Sequence, residues 1–205
     1  MAIFIPAQQD ETLKHFRLVL QSENSTLNGR VLHACHWNVD ANALCPTFIE
    51  YPDQRIKYIF TSTTINDTDS YDNGGEYMKL RMVFPPIGSN PLFTMDFRFH
   101  IQTNLYSNIA LAWFDEDYAE KDEKLEDRKV WDAVFFDEKG LMFKKGVADD
   151  RDVPIQENVQ KNYYRWYVCN TVYNSYYYQT LVWGQGEPAP QNPTCVKVDV
   201  RREFL

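Results

Sequence analysis

Leu92-Phe93-Thr94-Met95-Asp96-Phe97-Arg98-Phe99-His100-Ile101 decides the fold class. Phe93, Met95, Phe97, Phe99 and Ile101 recur at every second position and alternate with Thr94, Asp96, Arg98 and His100. A period of two places one set against a core and the other away from it, which is the pattern of a strand. Upstream, Tyr77 to Phe84 repeats it, with Met78, Leu80, Met82 and Phe84 opposing Tyr77, Lys79, Arg81 and Val83. Asp69 to Gly75 (DSYDNGG) precedes that strand as a turn cluster, and Pro85-Pro86-Ile87-Gly88 breaks it.

Working outward, residues 14–20 (KHFRLVL) and 55–63 (RIKYIFTST) also read as strands, and 108–114 (NIALAWF) as a strand buried on both faces. Residues 130–136 and 141–144 form a hairpin pattern turning at Asp137-Glu138-Lys139-Gly140. Residues 145–160 read as a polar loop. Tyr163 to Cys169, Tyr176 to Trp183 and Cys195 to Phe204 complete the strands, with the proline-rich connection Gly184 to Pro193 between the last two. The one helical expectation is a turn within residues 37–45 (WNVDANALC). Roughly nine or ten short strands without a substantial helix indicate an all-β fold. We expect one domain over residues 1–205, a jelly-roll-like β-sandwich, with a calycin-like closed barrel as the alternative. An aromatic share of 15% suits half-buried pleated surfaces.

The formal charge of -8 argues against nucleic acid and against anionic membranes, since both call for a basic face. No run approaches the roughly 18 apolar residues of a spanning helix. Four cysteines fall into two local groups, Cys35 with Cys45 and Cys169 with Cys195. Pairing within groups closes two short loops beside turn-forming residues, and this is the expected connectivity out of three. The alternative is four reduced core thiols. Asn24-Ser25-Thr26 and Asn66-Asp67-Thr68 are acceptor sequons, whereas Asn192-Pro193-Thr194 is disqualified by its proline. Cysteines and sequons together point to a secreted protein, or one of the secretory lumen, whose leader has been removed.

Conventional catalytic signatures do not occur: no GxSxG elbow, HExxH, GxGxxG or P-loop lysine. We therefore expect no cofactor. The stretch 115–128 (DEDYAEKDEKLEDR) carries eight acids against three bases and reads as a solvated loop. Asp115, Glu116 and Asp117 offer oxygen ligands of the kind calcium takes, but the stretch lacks the glycine and terminal glutamate of an EF-hand loop, so no metal is assigned. If strands 77–84 and 92–101 pair, Lys79, Arg81, Asp96, Arg98 and His100 share a face. That face is either solvent-washed or a cationic wall able to donate hydrogen bonds to a ligand's oxygens. Trp166, Tyr167, Tyr177, Tyr178 and Trp183 are either core or the stacking wall for a flat, oxygenated guest.

The stretches FRLVLQSENSTLNGRVLHACH (16–36), SNIALAWFDED (107–117) and YYRWYVCNTVYNSYYYQTLVWGQGEPAPQNPTCVKVDV (163–200) carry a likeness over most of the chain. Through them the sequence resembles a group of small secreted fungal β-proteins that includes hetero-Diels–Alderases of tropolonic sesquiterpenoid biosynthesis. The resemblance implies a cofactor-independent cyclase that joins an o-quinone methide to a humulene-type terpene. On that expectation Arg98, His100 and Lys79 are catalytic donors, and Arg81, Trp166, Tyr177 and Trp183 bind substrate. Members of the group often carry small or neutral residues on their middle strands, so Lys79, Arg81, Asp96, Arg98 and His100 are a departure. The rival reading is a secreted carrier or effector without turnover, or a sugar-binding sandwich. The oligomeric state is not readable.

Overall fold

The computed structural model describes residues 15–36, 41–47, 60–64, 76–84, 93–103, 107–116, 134–149, 156–173, 176–186 and 188–205. Among these residues there is no helix, and the strands are β1 (Phe16–Gln21), β2 (Val31–His36), β3 (Ala41–Thr47), β4 (Phe60–Thr64), β5 (Glu76–Phe84), β6 (Phe93–Thr103), β7 (Ile109–Glu116), β8 (Phe135–Phe136), β9 (Met142–Asp149), β10 (Gln156–Tyr163), β11 (Trp166–Tyr173), β12 (Tyr176–Gly184), β13 (Val196–Lys197) and β14 (Asp199–Phe204).

An 11-stranded sheet runs β13-β11-β12-β7-β3-β2-β1-β4-β5-β6, with β14 on β1 and a further pairing of β7 with β6. A second sheet is β10-β9-β8. The large sheet branches twice. One edge of β7 is divided between β12, at residues 109–111, and β3, at residues 113–115. One edge of β1 is divided between β2, at Val19, and β4, at Phe16. The sheet is branched at two strands and, among the described residues, ends in an outer strand β13 paired with β11 alone, an all-β arrangement consistent with the expected sandwich.

The core lies on one face of the large sheet. Phe16, Leu18, Leu20, Leu32, Leu44, Phe60, Phe114, Trp166, Val168, Leu181 and Val200 of that sheet pack with Val134 and Met142 from the region of the small one. Phe60 and Phe114 stack at 5.6 Å and 15°. Burial of these aromatic and aliphatic side chains supplies the hydrophobic driving force. The layers are also joined by polar contacts. Trp166, fully buried, donates Nε1–H to the Met142 carbonyl at 2.8 Å, and Arg202 N donates to the Gly140 carbonyl at 2.8 Å.

Two expectations are corrected. Residues 41–45 are not helical but extended in β3, because pairing Cys35 with Ala43 and His33 with Cys45 requires an antiparallel hairpin; residues 37–40 lie outside the described residues. Residues 145–160 are not a single loop, since β9 and β10 pair across a bulge between Glu157 and Lys161. Their polar side chains hide the alternation, and β10 is the outer strand of its sheet, where one partner is enough. The hairpin at Asp137 to Gly140 is present: Gly140 takes φ +78°, and the Asp137 carboxylate accepts from the Lys139 and Leu141 amides. The Cys195 to Phe204 strand is broken into β13 and β14 at Val198, whose amide donates to the Trp166 carbonyl.

Candidate functional site

Strand register groups the candidate residues. In an antiparallel pair, residues directly opposite share a face. Lys79 stands opposite Arg98 and Arg81 opposite Asp96, and Arg98 in turn stands opposite Asp115 of β7. The next row in this direction is His100 (β6), Trp113 (β7), Ala43 (β3) and Cys35 (β2). A third is Gln102, Leu111, Val182, Tyr167 and Lys197. The intervening register belongs to the core, through Phe60 opposite Leu80 and Phe99 opposite Phe114. The expected pairing of strands 77–84 and 92–101 is therefore present, and by register Lys79, Arg81, Arg98 and His100 occupy the face turned from the core. Their side chains lie outside the described residues.

That outer face carries its own apolar cover. Ala43 and Cys45 are buried beneath Cys35, Leu111, Trp113 and Tyr178. Beside them, Ile109, Cys169 and Val182 pack with Leu111, Tyr167 and Cys195. Each cluster contains a disulfide, Cys35–Cys45 or Cys169–Cys195, so the expected connectivity holds and no described cysteine is free. Both bridges follow from register. Cys35 sits two pairs along from the His33–Cys45 pair, on the same face, and Cys169 lies next to the Val168–Val196 pair. His33 Nδ1 donates to the Cys45 carbonyl at 2.8 Å, which fixes the tautomer with hydrogen on Nδ1. Thr180 Oγ1, buried, donates to the Leu44 carbonyl at 3.0 Å and ties β12 to β3 beyond their shared neighbour β7.

The proline-rich connection is strapped over the second cluster. Asn108 donates Nδ2–H to the Ala189 carbonyl at 3.1 Å and accepts from the Gln191 amide at 2.8 Å. Asn192 Nδ2 donates to the Asn170 carbonyl at 2.9 Å, and the Asn170 amide donates to Thr194 Oγ1 at 2.9 Å. At its end, Lys197 Nζ donates to the carbonyls of Tyr164, Trp166 and Val198. Burial lowers the Lys197 pKa, with Asp199 opposing that shift. Bonded to three carbonyls and 3.6 Å from the Asp199 carboxylate, this half-exposed lysine tethers β13 to β11.

The aromatic candidates divide between the faces. Trp166 faces the core, 4.8 Å from Trp183 in an edge-on arrangement, and its indole N–H is already committed to Met142. Trp183, its cross-strand partner, is half-buried against the same core. Tyr177 lies on that face too, beyond the core edge, opposite Val172; the pair is 83% and 58% exposed. None of these three shares a row with Lys79, Arg81, Arg98 or His100. Trp113 and Tyr178 do belong to the cationic side of the sheet. Trp113 was hidden in the sequence because the run 108–114 reads as buried throughout, although Ile109, Leu111 and Trp113 alternate with Ala110, Ala112 and Phe114. Asp115 and Glu116 belong to β7, while the rest of the acidic stretch weighed for calcium, and the sequon at Asn66, lie outside the described residues.

A family model described as a domain of unknown function (DUF7907) matches residues 13–204. No curated protein and no solved structure matches the chain.

Proposed function

The chain belongs to the DUF7907 family, whose function is unassigned, and from the outer face of β5, β6 and β7 we propose that it is a secreted, cofactor-independent hetero-Diels–Alder cyclase. It joins a tropolone- or polyketide-derived o-quinone methide to a humulene-type terpene. The observation that carries this reading is the placement of Lys79 and Arg98 in one cross-strand row, continued by Asp115, and of His100 and Trp113 in the next row of the same face. A flat, oxygenated heterodiene meets an aromatic surface and hydrogen-bond donors on one side of one sheet. Two disulfides accord with an oxidising compartment.

The reaction asks little else of a protein. The quinone methide oxygen and its exocyclic carbon form new C–O and C–C bonds to the two alkene carbons, and no atom leaves. Orientation of the two partners supplies roughly 7–11 kcal/mol. A cationic donor at the oxygen, which gathers charge as the bonds form, adds electrostatic stabilisation. Arg98, His100 and Lys79 are the proposed donors, Arg81 binds substrate with them, and Trp113 and Tyr178 provide stacking surface.

Incubating the purified protein with a generated o-quinone methide and humulene tests this. A changed product ratio or enantiomeric excess, lost on Arg98→Ala or His100→Ala, supports the reading; products identical to the uncatalysed mixture overturn it. The second reading, a non-catalytic secreted effector, is favoured by the exposed Val172–Tyr177 pair at the end of the β11–β12 hairpin. Tight binding without turnover would instead indicate a carrier.

A further inference from the structure

Two short turns in the molecule are built alike. In the first, between β1 and β2, Asn24 Oδ1 accepts from the Thr26 amide at 2.9 Å and from Thr26 Oγ1 at 2.7 Å. The Asn24 carbonyl then accepts from the amides of Leu27 and Asn28, both at 3.0 Å. In the second, in the strap, Asn192 Oδ1 accepts from the Thr194 amide at 3.0 Å and from Thr194 Oγ1 at 2.7 Å, and the Asn192 carbonyl accepts from the Cys195 amide. In both, an asparagine opens a tight turn whose amides its side chain caps, with a threonine two residues on.

The asparagines differ in what their amide nitrogens do. Asn192 Nδ2 is spent on the Asn170 carbonyl, and Pro193 between Asn192 and Thr194 forbids the sequon. Asn24 is exposed, and among the described contacts its Nδ2 donates to no protein acceptor. Ser25 between Asn24 and Thr26 permits the sequon.

We propose that Asn24 carries an N-linked glycan, and that Asn192, the same turn, is kept unmodified because its nitrogen clamps the strap. Transfer from a lipid-pyrophosphate-linked oligosaccharide forms the bond from Nδ2 to the sugar's anomeric carbon, breaks that carbon's bond to the pyrophosphate, which leaves with the lipid, and releases one Nδ2 hydrogen as a proton; Oδ1 stays in place. The cap on Thr26 therefore survives modification. Leu27, buried beneath the turn, holds the sugar-bearing face toward solvent. The proposal rests on the secretory reading, but its test does not.

The strap supplies the control variant. Ser25 follows the asparagine that opens its turn, a position where proline is favoured, and its amide donates to no acceptor among the described contacts. Ser25→Pro therefore copies the Asn192 turn, preserves the cap and abolishes the acceptor. The chain is expressed behind a secretory leader in a glycosylating yeast, in an Asn66→Gln background so that one sequon remains. Peptide N-glycosidase treatment is expected to convert a single slower band to a faster one, and mass spectrometry of the treated protein to find aspartate at position 24. Ser25→Pro and Asn24→Gln should both run at the faster position untreated, with Ser25→Pro as stable as the deglycosylated parent. Secreted protein with unmodified Asn24 overturns the proposal. Entry to the lumen is imposed by the leader, so that result stands whatever the native location.

Discussion

Trp166 and Met142 are joined by one buried hydrogen bond, 2.8 Å from indole nitrogen to backbone carbonyl, and it links β11 of the large sheet to β9 of the small one. Trp166→Phe keeps a buried ring but leaves the Met142 carbonyl without this donor. A stability loss of about 1–3 kcal/mol is expected for an acceptor stranded in the core, read as a lower denaturant midpoint with an unchanged slope. A variant as stable as the parent would show that this bond adds nothing to the joining of the layers.

Gly140 sits at φ +78°, and a Cβ there would lie 3.0 Å from the Arg202 carbonyl oxygen. Backbone strain and the clash act together in Gly140→Ala, whose expected cost is about 1–3 kcal/mol. Gly29 has the same φ with open space around it, so Gly29→Ala should cost less. Paired thermal melts compare them.

Tyr164 donates its hydroxyl hydrogen to Asp137 Oδ2 at 3.1 Å. Burial, then this bond and the Asp137 charge, raise its pKa above the ordinary value of 10.0. Above that pH the folded chain keeps a proton that the unfolded chain releases, so this contribution is present at lower pH and fades as pH rises through the folded value. Lys197 works in the opposite sense. Its lowered pKa makes stability rise between the folded value and the ordinary 10.5. Tyr164→Phe should flatten the alkaline fall in stability and leave the lysine's contribution. Denaturation curves taken from pH 8 upward separate the two.

Asn108 holds the strap at two points, Ala189 and Gln191. Asn108→Ala should leave the disulfides intact while making residues 185–194 the first site of proteolytic nicking. Equal cleavage rates in variant and parent would show that Asn192 and Cys195 hold the segment without it.

Trp113 lies in the same cross-strand row as His100. A flat phenolic ligand should quench the protein's tryptophan fluorescence, and Trp113→Phe should remove most of that quenching, whereas Trp183→Phe should not. The reverse pattern would move the ligand to the opposite face of the sheet.

The alternation of Leu92 to Ile101 and Tyr77 to Phe84 was legible because the apolar set, in register with buried Phe60 and Phe114, differs sharply in polarity from the other; such strands announce themselves. β9 and β10 were not, since in Lys144, Lys145, Gln156 and Glu157 polarity masks the period. The cationic half of the candidate site could be read, because Lys79 and Arg98 sit at matching phases of two clear strands. Its aromatic half could not: whether Trp113 or Trp166 joins those cations depends on the register across β6, β7, β12 and β11, and sequence patterning does not encode register between distant strands. The disulfides were legible as local loops, while the strap they help pin depends on Asn108, more than eighty residues upstream of Gln191.

β1 is paired along its whole length with β14, from Phe16 opposite Phe204 to Gln21 opposite Asp199. Synthesis therefore produces a hydrophobic strand that waits for its partner until residues 199–204 have left the ribosome. During that interval Phe16, Leu18 and Leu20 belong to an open edge, and edges of this kind recruit other chains. Truncating β14 would prolong that exposure indefinitely, so the last six-residue strand governs whether the first is safe from aggregation.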